Sequence, residues 1–165
     1  MHSNIKIIGL GGIGANVLIS LKKNGIIVDS LLIDSECPDF IKQQLDTYEP
    51  INSLDFEKIG SADLLVIVTG LAGNVCTKYL IPIIKYAIKS CKDVVLVGVM
   101  PFDFESLTDK ANENYLGIKE FPVKRHILRN QELLEEKSFG DLSIKAAFNL
   151  VNDTIIELIK KEIIS

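Results

Sequence analysis

Tryptophan is absent, and histidine, methionine and cysteine are scarce, in a chain of 165 residues. His2 and His126 lie far apart and outside any metal-ligand spacing, so no structural metal is expected. Cys37, Cys76 and Cys91 are odd in number and lack a Cys-x-x-Cys spacing. That argues against a disulfide framework and for reduced thiols in a cytoplasmic protein. No apolar run approaches the roughly 20 residues of a membrane span. The opening MHSN leads directly into a strand pattern, not into a signal peptide. Eighteen basic residues against 22 acidic ones give a net charge of −4, without the basic footprint of a nucleic-acid binder. Internal repeats, low-complexity tracts and linkers are missing. So is any Ser/His/Asp or Cys/His set for nucleophilic or acid–base catalysis, and a lone Cys76 in a turn is no sign of reactivity.

What is plentiful is apolar surface, 47% of the residues. A single domain of this length buries roughly 70% of its unfolded surface. The stretch Lys6–Asn16, KIIGLGGIGAN, organises the rest. Ile5, Ile7, Ile8 and Leu10 read as a buried strand, Gly9, Gly11, Gly12 and Gly14 as a turn, and Ala15 onward as a helix. A helix N-terminus reached through glycine presents unpaired N–H groups and partial positive charge, which suits a phosphate. The plainer reading is a tight strand–helix turn with glycine present for packing alone.

Asn24-Gly25 ends the first helix, and Ile26–Ile33 reads as the second strand with Asp34 at its end. Gly9-x-Gly11-x-x-Gly14 followed by such an acid is the dinucleotide fingerprint, which makes NAD or FAD a candidate ligand of an oxidoreductase or redox regulator. Asp34 as a simple strand-end cap is the alternative. A short helix near Asp39–Leu45 and a loop lead to Leu64–Gly70, an apolar run typical of a central parallel strand. A second glycine turn, Gly70–Asn74, opens a helix over Val75–Ser90, in which Pro82 is expected to be tolerated only near the first turns. Asp93–Val99 reads as another interior strand, the segment after Phe104 as helical, Phe121–Leu128 as an edge strand, and Asn130–Glu136 as a short acidic helix. A long helix follows over Leu142–Ile164, with Asp141 as its N-cap and Ile144, Phe148, Val151, Ile155, Leu158 and Ile159 on one stripe. This order predicts an α/β fold: a doubly wound, mostly parallel Rossmann-like sheet with its ligand crevice at the carboxyl ends of the strands.

Six segments, in order, resemble the GTP-binding half of the tubulin/FtsZ family over about residues 4–163. IKIIGLGGIGAN resembles the family's first phosphate loop, and Ile33–Glu36 stands where the family has Asn-Thr-Asp. SADLLVIVTGLAGN resembles the strand and turn before the tubulin signature. Pro101-Phe102-Asp103-Phe104-Glu105 is similar to Pro-Phe-x-Phe-Glu, whose Glu contacts the ribose, and Arg129-Asn130-Gln131 to Pro-Asn-Asp. Ala147-Phe148 with Asn152-Asp153 resembles the long helix whose Phe stacks on guanine and whose Asn/Asp pair reads the base edge. The resemblance implies a site for GTP or GDP built from Gly11, Gly12, Ile13, Gly14, Asn16, Asp34, Gly73, Asn74, Cys76, Thr77, Glu105, Asn130, Phe148, Asn152 and Asp153. Read from the residues alone, Phe148 is equally a core aromatic, Asp153 a solvated helix-face carboxylate, Glu105 a helix-start acid and Asn16 a turn-bonded side chain.

The departures bear on function. The family signature Gly-Gly-Gly-Thr-Gly-Thr-Gly is replaced by Gly73-Asn74-Val75-Cys76-Thr77-Lys78-Tyr79, and a family arginine falls near Asp109. Lys78 is a candidate point charge in place of the lost backbone donors. Val75, Cys76 and Tyr79 could instead fill the old phosphate pocket and leave an interaction scaffold without ligand. The family's second domain, with its catalytic loop, has no counterpart within these residues. The resulting expectation is a pseudo-GTPase that acts by interaction in cell division or filament regulation. Ile144, Val151, Ile155, Leu158, Ile163 and Ile164 are more than one buried stripe needs, so self-association through the last helix is a further expectation.

Overall fold

β1 (Ile5–Leu10) runs through the middle of a six-stranded sheet, with its last four residues buried. The computed structural model of the chain describes residues 2–136 and 143–165. In chain order β1 is followed by α1 (Gly11–Lys23), β2 (Asp29–Asp34), α2 (Asp39–Lys42), β3 (Tyr48–Pro50), β4 (Ala62–Gly70), α3 (Asn74–Ser90) and β5 (Cys91–Met100). Then come α4 (Thr108–Ile118), β6 (Lys124–Arg129), α5 (Asn130–Glu136) and α6 (Ile144–Ile164). The strands lie in the order β3-β2-β1-β4-β5-β6, and every pairing is parallel. The expected doubly wound sheet is therefore what the chain forms. Its order reverses between β1 and β4, where such sheets hold their ligands.

Two apolar layers sandwich the sheet. On one face Ile8, Leu10, Leu65 and Ile67 pack with Leu80, Ile83 and Ile84 of α3 and Ala111 of α4. On the other Ile7, Val66, Val68 and Val97 pack with Val17, Leu18 and Leu21 of α1 and Val151, Ile155 and Ile159 of α6. Each such buried aliphatic side chain stabilises the fold by about 1.5–3 kcal/mol. The sheet's interior strands read as unbroken apolar runs because both faces are covered.

Several boundaries differ from the expectations. The glycines after β1 are the first turn of α1 itself: Gly11 takes φ of +71° and the helix proceeds from there. β2 starts at Asp29 and not at Ile26, and Ile27 is 96% exposed, because Ile26–Val28 cross from α1 to the sheet. Residues expected to form a loop contribute β3, three residues ending in Pro50 at the sheet edge, where proline costs no interior hydrogen bond. Pro82 lies in the middle of α3, on its exposed side, so that the carbonyl it leaves unpaired faces water. Asp141 lies outside the described residues; α6 is capped by Ser143, whose Oγ accepts from Ala146 N at 3.1 Å, worth about 1 kcal/mol.

The buried stripe of α6 is Ala147, Val151, Ile155, Ile156 and Ile159. Small Ala147 faces the sheet and leaves Phe148 at the surface of the layer. Val151 and Ile155 are thus covered within the chain. Ile144 and Ile164, the strongly exposed members of the group expected to drive self-association, stand at opposite ends of the helix. Near its end Glu162 is buried, and its Oε1 meets Lys124 Nζ at 2.7 Å and His126 Nε2 at 2.6 Å, tying α6 to β6. Burial pushes this carboxyl up, and the two hydrogen bonds from Lys124 and His126 more than offset it, leaving it below the ordinary range.

Candidate functional site

Two helix N-termini converge at the carboxyl end of the sheet, that of α1 after β1 and that of α3 after β4. Neither has a side-chain cap, since the N-cap residues are Leu10 and Gly73, and neither has an acid in its first turn. The unpaired amides and positive dipole ends are left for something else. α1 is set close to the sheet because Gly9 and Gly14 touch: a Cβ on Gly14 would lie 2.5 Å from the Gly9 carbonyl carbon. Gly70 plays a similar part for Ile13, whose Cδ1 lies 2.7 Å from where a Cβ would stand.

Between these ends opens a cleft of about 360 Å³. Nine of the expected residues line it: Gly11, Gly12, Ile13, Asp34, Gly73, Asn74, Cys76, Glu105 and Asn130. Val75 and Cys76 form part of its wall and leave the volume open, while Tyr79 packs into the core instead. Burial pushes the Cys76 thiol up to about 11 against a hydrogen bond from Thr69 and the charge of Lys110, so it is an inert wall group at neutral pH. Glu105 is turned inward, its Oε2 accepting from Phe102 N at 2.7 Å. Ser106 beside it takes φ of +57°, the one non-glycine residue in the left-handed region among those described. Asp34, a lining residue, accepts from Ser35 N through Oδ1 at 2.7 Å, and among the described residues its Oδ2 has no hydrogen-bond partner. Among the described residues, no lysine, arginine or histidine lines this cleft.

A second cleft of about 310 Å³ abuts the first on the side of α1 and α6. Asn16, Asn130, Phe148 and Asn152 line it, with Ile13 and Asn130 shared between the two. Phe148 is 37% exposed and fixed by edge-on contacts with Phe102 (5.3 Å) and Phe104 (6.3 Å), which leaves ring surface at the cleft. Asn152 Nδ2 donates to Ser20 Oγ at 2.6 Å, so the amide is held in place with its oxygen free. Asn130 is 1% exposed, and its Oδ1 is the one buried side-chain polar atom with no partner among those described. Leaving such an acceptor unmet costs about 1–3 kcal/mol.

Three expected residues line neither cleft. Gly14 is consumed by the contact with Gly9. Thr77 Oγ1 donates to Gly73 O at 3.0 Å and accepts from Asn114 Nδ2 at 2.9 Å, which braces the α3 terminus against α4. Asp153 is exposed. Lys78 is exposed too and lines neither cleft. Sequence reasoning missed Thr69 and Ser35 in the first cleft, and Lys23 and Asn149 in the second. Asn149 stands one helical turn from Asn152, so the 3.6-residue period was the available signal. Among the described residues, no helix is long and apolar enough to cross a membrane.

No protein-family model matches the chain, and no curated protein sequence matches it significantly. Solved structures do match. FtsZ of M. jannaschii, solved as an empty dimer, superposes with a TM-score of 0.79 at 20% identity, over 95% of this chain and 53% of that one. CetZ from Methanosaeta thermophila gives 0.67 at 15% identity, over 97% and 54%. The phage tubulin PhuZ, solved with GDP, gives 0.63 at 16% identity, over 97% and 55%. The chain spans about half the length of these structures. Over that span, it has the fold of the tubulin/FtsZ proteins.

Proposed function

We propose that the chain is a guanine-nucleotide-binding module that holds GTP or GDP without turning it over, and that acts through interaction with a filament-forming protein of its own fold. The observation that carries the reading is Asn130 Oδ1, a buried acceptor without a protein donor at the junction of two clefts. A ligand lying across both clefts passes beside this amide, and a sugar hydroxyl or a base N–H suits it as a donor. To one side lie two uncapped helix ends suited to phosphates; to the other, the Phe148 ring and the amides of Asn16 and Asn152 suit a planar base. Asp34, with one oxygen free, suits a ribose hydroxyl.

Turnover is not supported by the same residues. Glu105 is already bonded to the backbone, and among the described residues the first cleft has no histidine to move a proton. The partner reading is supported by the fold it shares with FtsZ, which was solved as a dimer. Calorimetry with GDP, GTP and NADH, followed by a phosphate-release assay, tests the proposal. Binding of GDP and GTP without release is the expected result. Binding of NADH alone points to the dinucleotide reading, and measurable hydrolysis contradicts the pseudo-enzyme part.

A further inference from the structure

An anionic ligand in the first cleft would meet amides, the carboxylates of Asp34 and Glu105 and, among the described residues, no cation on the lining; the molecule holds one close by. Lys110, on α4, places Nζ 2.7 Å from Asn74 Oδ1, at the first residue of α3. A cation beside the positive end of a 17-residue helix is unfavourably placed. No acid in the first turn of α3 offsets it, and among the described residues Lys110 forms no ion pair. Among the described residues its one hydrogen-bond partner is the neutral amide of Asn74, a residue that lines the cleft. The α3 N-terminus and, one residue behind the lining, Lys110 thus stand at one end of a cavity whose wall also carries the carboxylates of Asp34 and Glu105 and the unmet Asn130 acceptor.

The topology says which part of a ligand reaches that point. The second cleft lies on the α1 and α6 face of the sheet, whereas α3 and α4 cover the other face. A nucleotide with its base in the second cleft must extend its phosphates across the ends of β1 and β4 toward α3. The outermost phosphate then arrives beside Asn74.

Resting on the nucleotide reading above, we propose that Lys110 is the charge partner of the outermost phosphoryl group and sets the preference of the site for a triphosphate over shorter nucleotides. The ammonium leaves the Asn74 oxygen for the phosphate when the ligand enters. The field of Lys110 is already felt at the cleft wall, where it works against the rise of the Cys76 thiol.

Calorimetry with GMP, GDP and GTP on the wild type, K110Q and K110R tests this, with K78Q as the comparison lysine on α3. K110Q is expected to weaken GTP roughly tenfold, as loss of a charge-assisted hydrogen bond does, GDP several-fold less, and GMP not at all. K110R should restore most of the difference, and K78Q should leave all three unchanged. In the wild type, added salt should weaken GTP more steeply than GMP, a readout that needs no variant. Equal weakening of all three nucleotides by K110Q, no weakening, or a K78Q that behaves like K110Q overturns the assignment. If the wild type binds none of the three, the nucleotide reading falls and the role of Lys110 falls with it. If the wild type binds and K110Q is indifferent, only the role of Lys110 falls.

Discussion

Two glycines of the same turn should fail in opposite ways when each is given a methyl group. A Cβ on Gly14 would stand 2.5 Å from the Gly9 carbonyl carbon, 2.6 Å from the Gly9 Cα and 3.2 Å from Val68 O. All three are backbone atoms of interior strands, so no side chain can swing aside and α1 must lift from β1 and β4. Overpacking of this kind costs about 1–3 kcal/mol, and more where backbone must move. For a chain of this length each kcal/mol lowers Tm by about 2–4 °C, so G14A should melt roughly 5–10 °C below the wild type. A Cβ on Gly12 would meet nothing within 4 Å, and Gly12 lies within α1 with a φ outside the left-handed region. G12A should therefore be neutral or more stable by about 0.5–1 kcal/mol, since alanine loses less backbone freedom in a helix. Yet Gly12 lines the first cleft, so the same methyl group should weaken GDP binding at least tenfold by standing where a phosphate approaches. Thermal melts with and without GDP read both effects. If G14A melts with the wild type, or if G12A binds GDP unchanged, the placement of α1 against β1 or of the ligand against α1 is wrong.

Asn130→Leu removes an acceptor that has no protein partner and keeps the side-chain volume. The ligand-free protein should be as stable as the wild type or about 1 kcal/mol more so, while nucleotide affinity falls at least tenfold; a loss of stability with affinity intact would contradict the role given to the Oδ1. Glu162→Gln should cost about 1 kcal/mol near neutral pH, discounted because Lys124 is more than half exposed. Because the folded carboxyl lies below its ordinary value of 4.5, its contribution is full above that value and drains as pH falls through the folded pKa. Urea titrations of wild type and E162Q should therefore draw together as pH falls below 4.5 and meet once the folded carboxyl is protonated, and a gap that persists in strong acid would rule out the ion pairs as its source.

The strand, turn and helix of Ile5–Lys23 were legible because three local signals coincide there: an apolar run, glycines and then helical periodicity. The same holds for β4 and β5, whose burial on both faces makes them continuous apolar runs. β3 was not legible. Tyr48–Pro50 has too few residues to show a period and ends in proline, and its pairing with β2 is made only by the fold. Pro82 misled in the opposite direction, since the exposed side of α3 tolerates a missing N–H that a buried side would not. In the site, the first glycine turn and Asp34 were readable from spacing, and Glu105 from the family resemblance. By contrast, the contact that spends Gly14 on packing, the brace between Asn114 and Thr77, and the approach of Lys110 to Asn74 join residues of separate elements. Nothing local to either partner announces them. Asp153, named by the family resemblance, is exposed on α6 and lines neither cleft.

Thermal melting of the wild-type chain with and without saturating GDP is the most direct test of whether the two clefts form one nucleotide site. A ligand at about 100 times its Kd adds about 2.7 kcal/mol to a native state that alone binds it, which corresponds to a rise of roughly 5–10 °C. A rise of that size with GDP and GTP, absent with phosphate alone, is the expected result. An unchanged Tm at millimolar GDP and GTP would mean that Asn130 and the two uncapped helices do not serve a nucleotide.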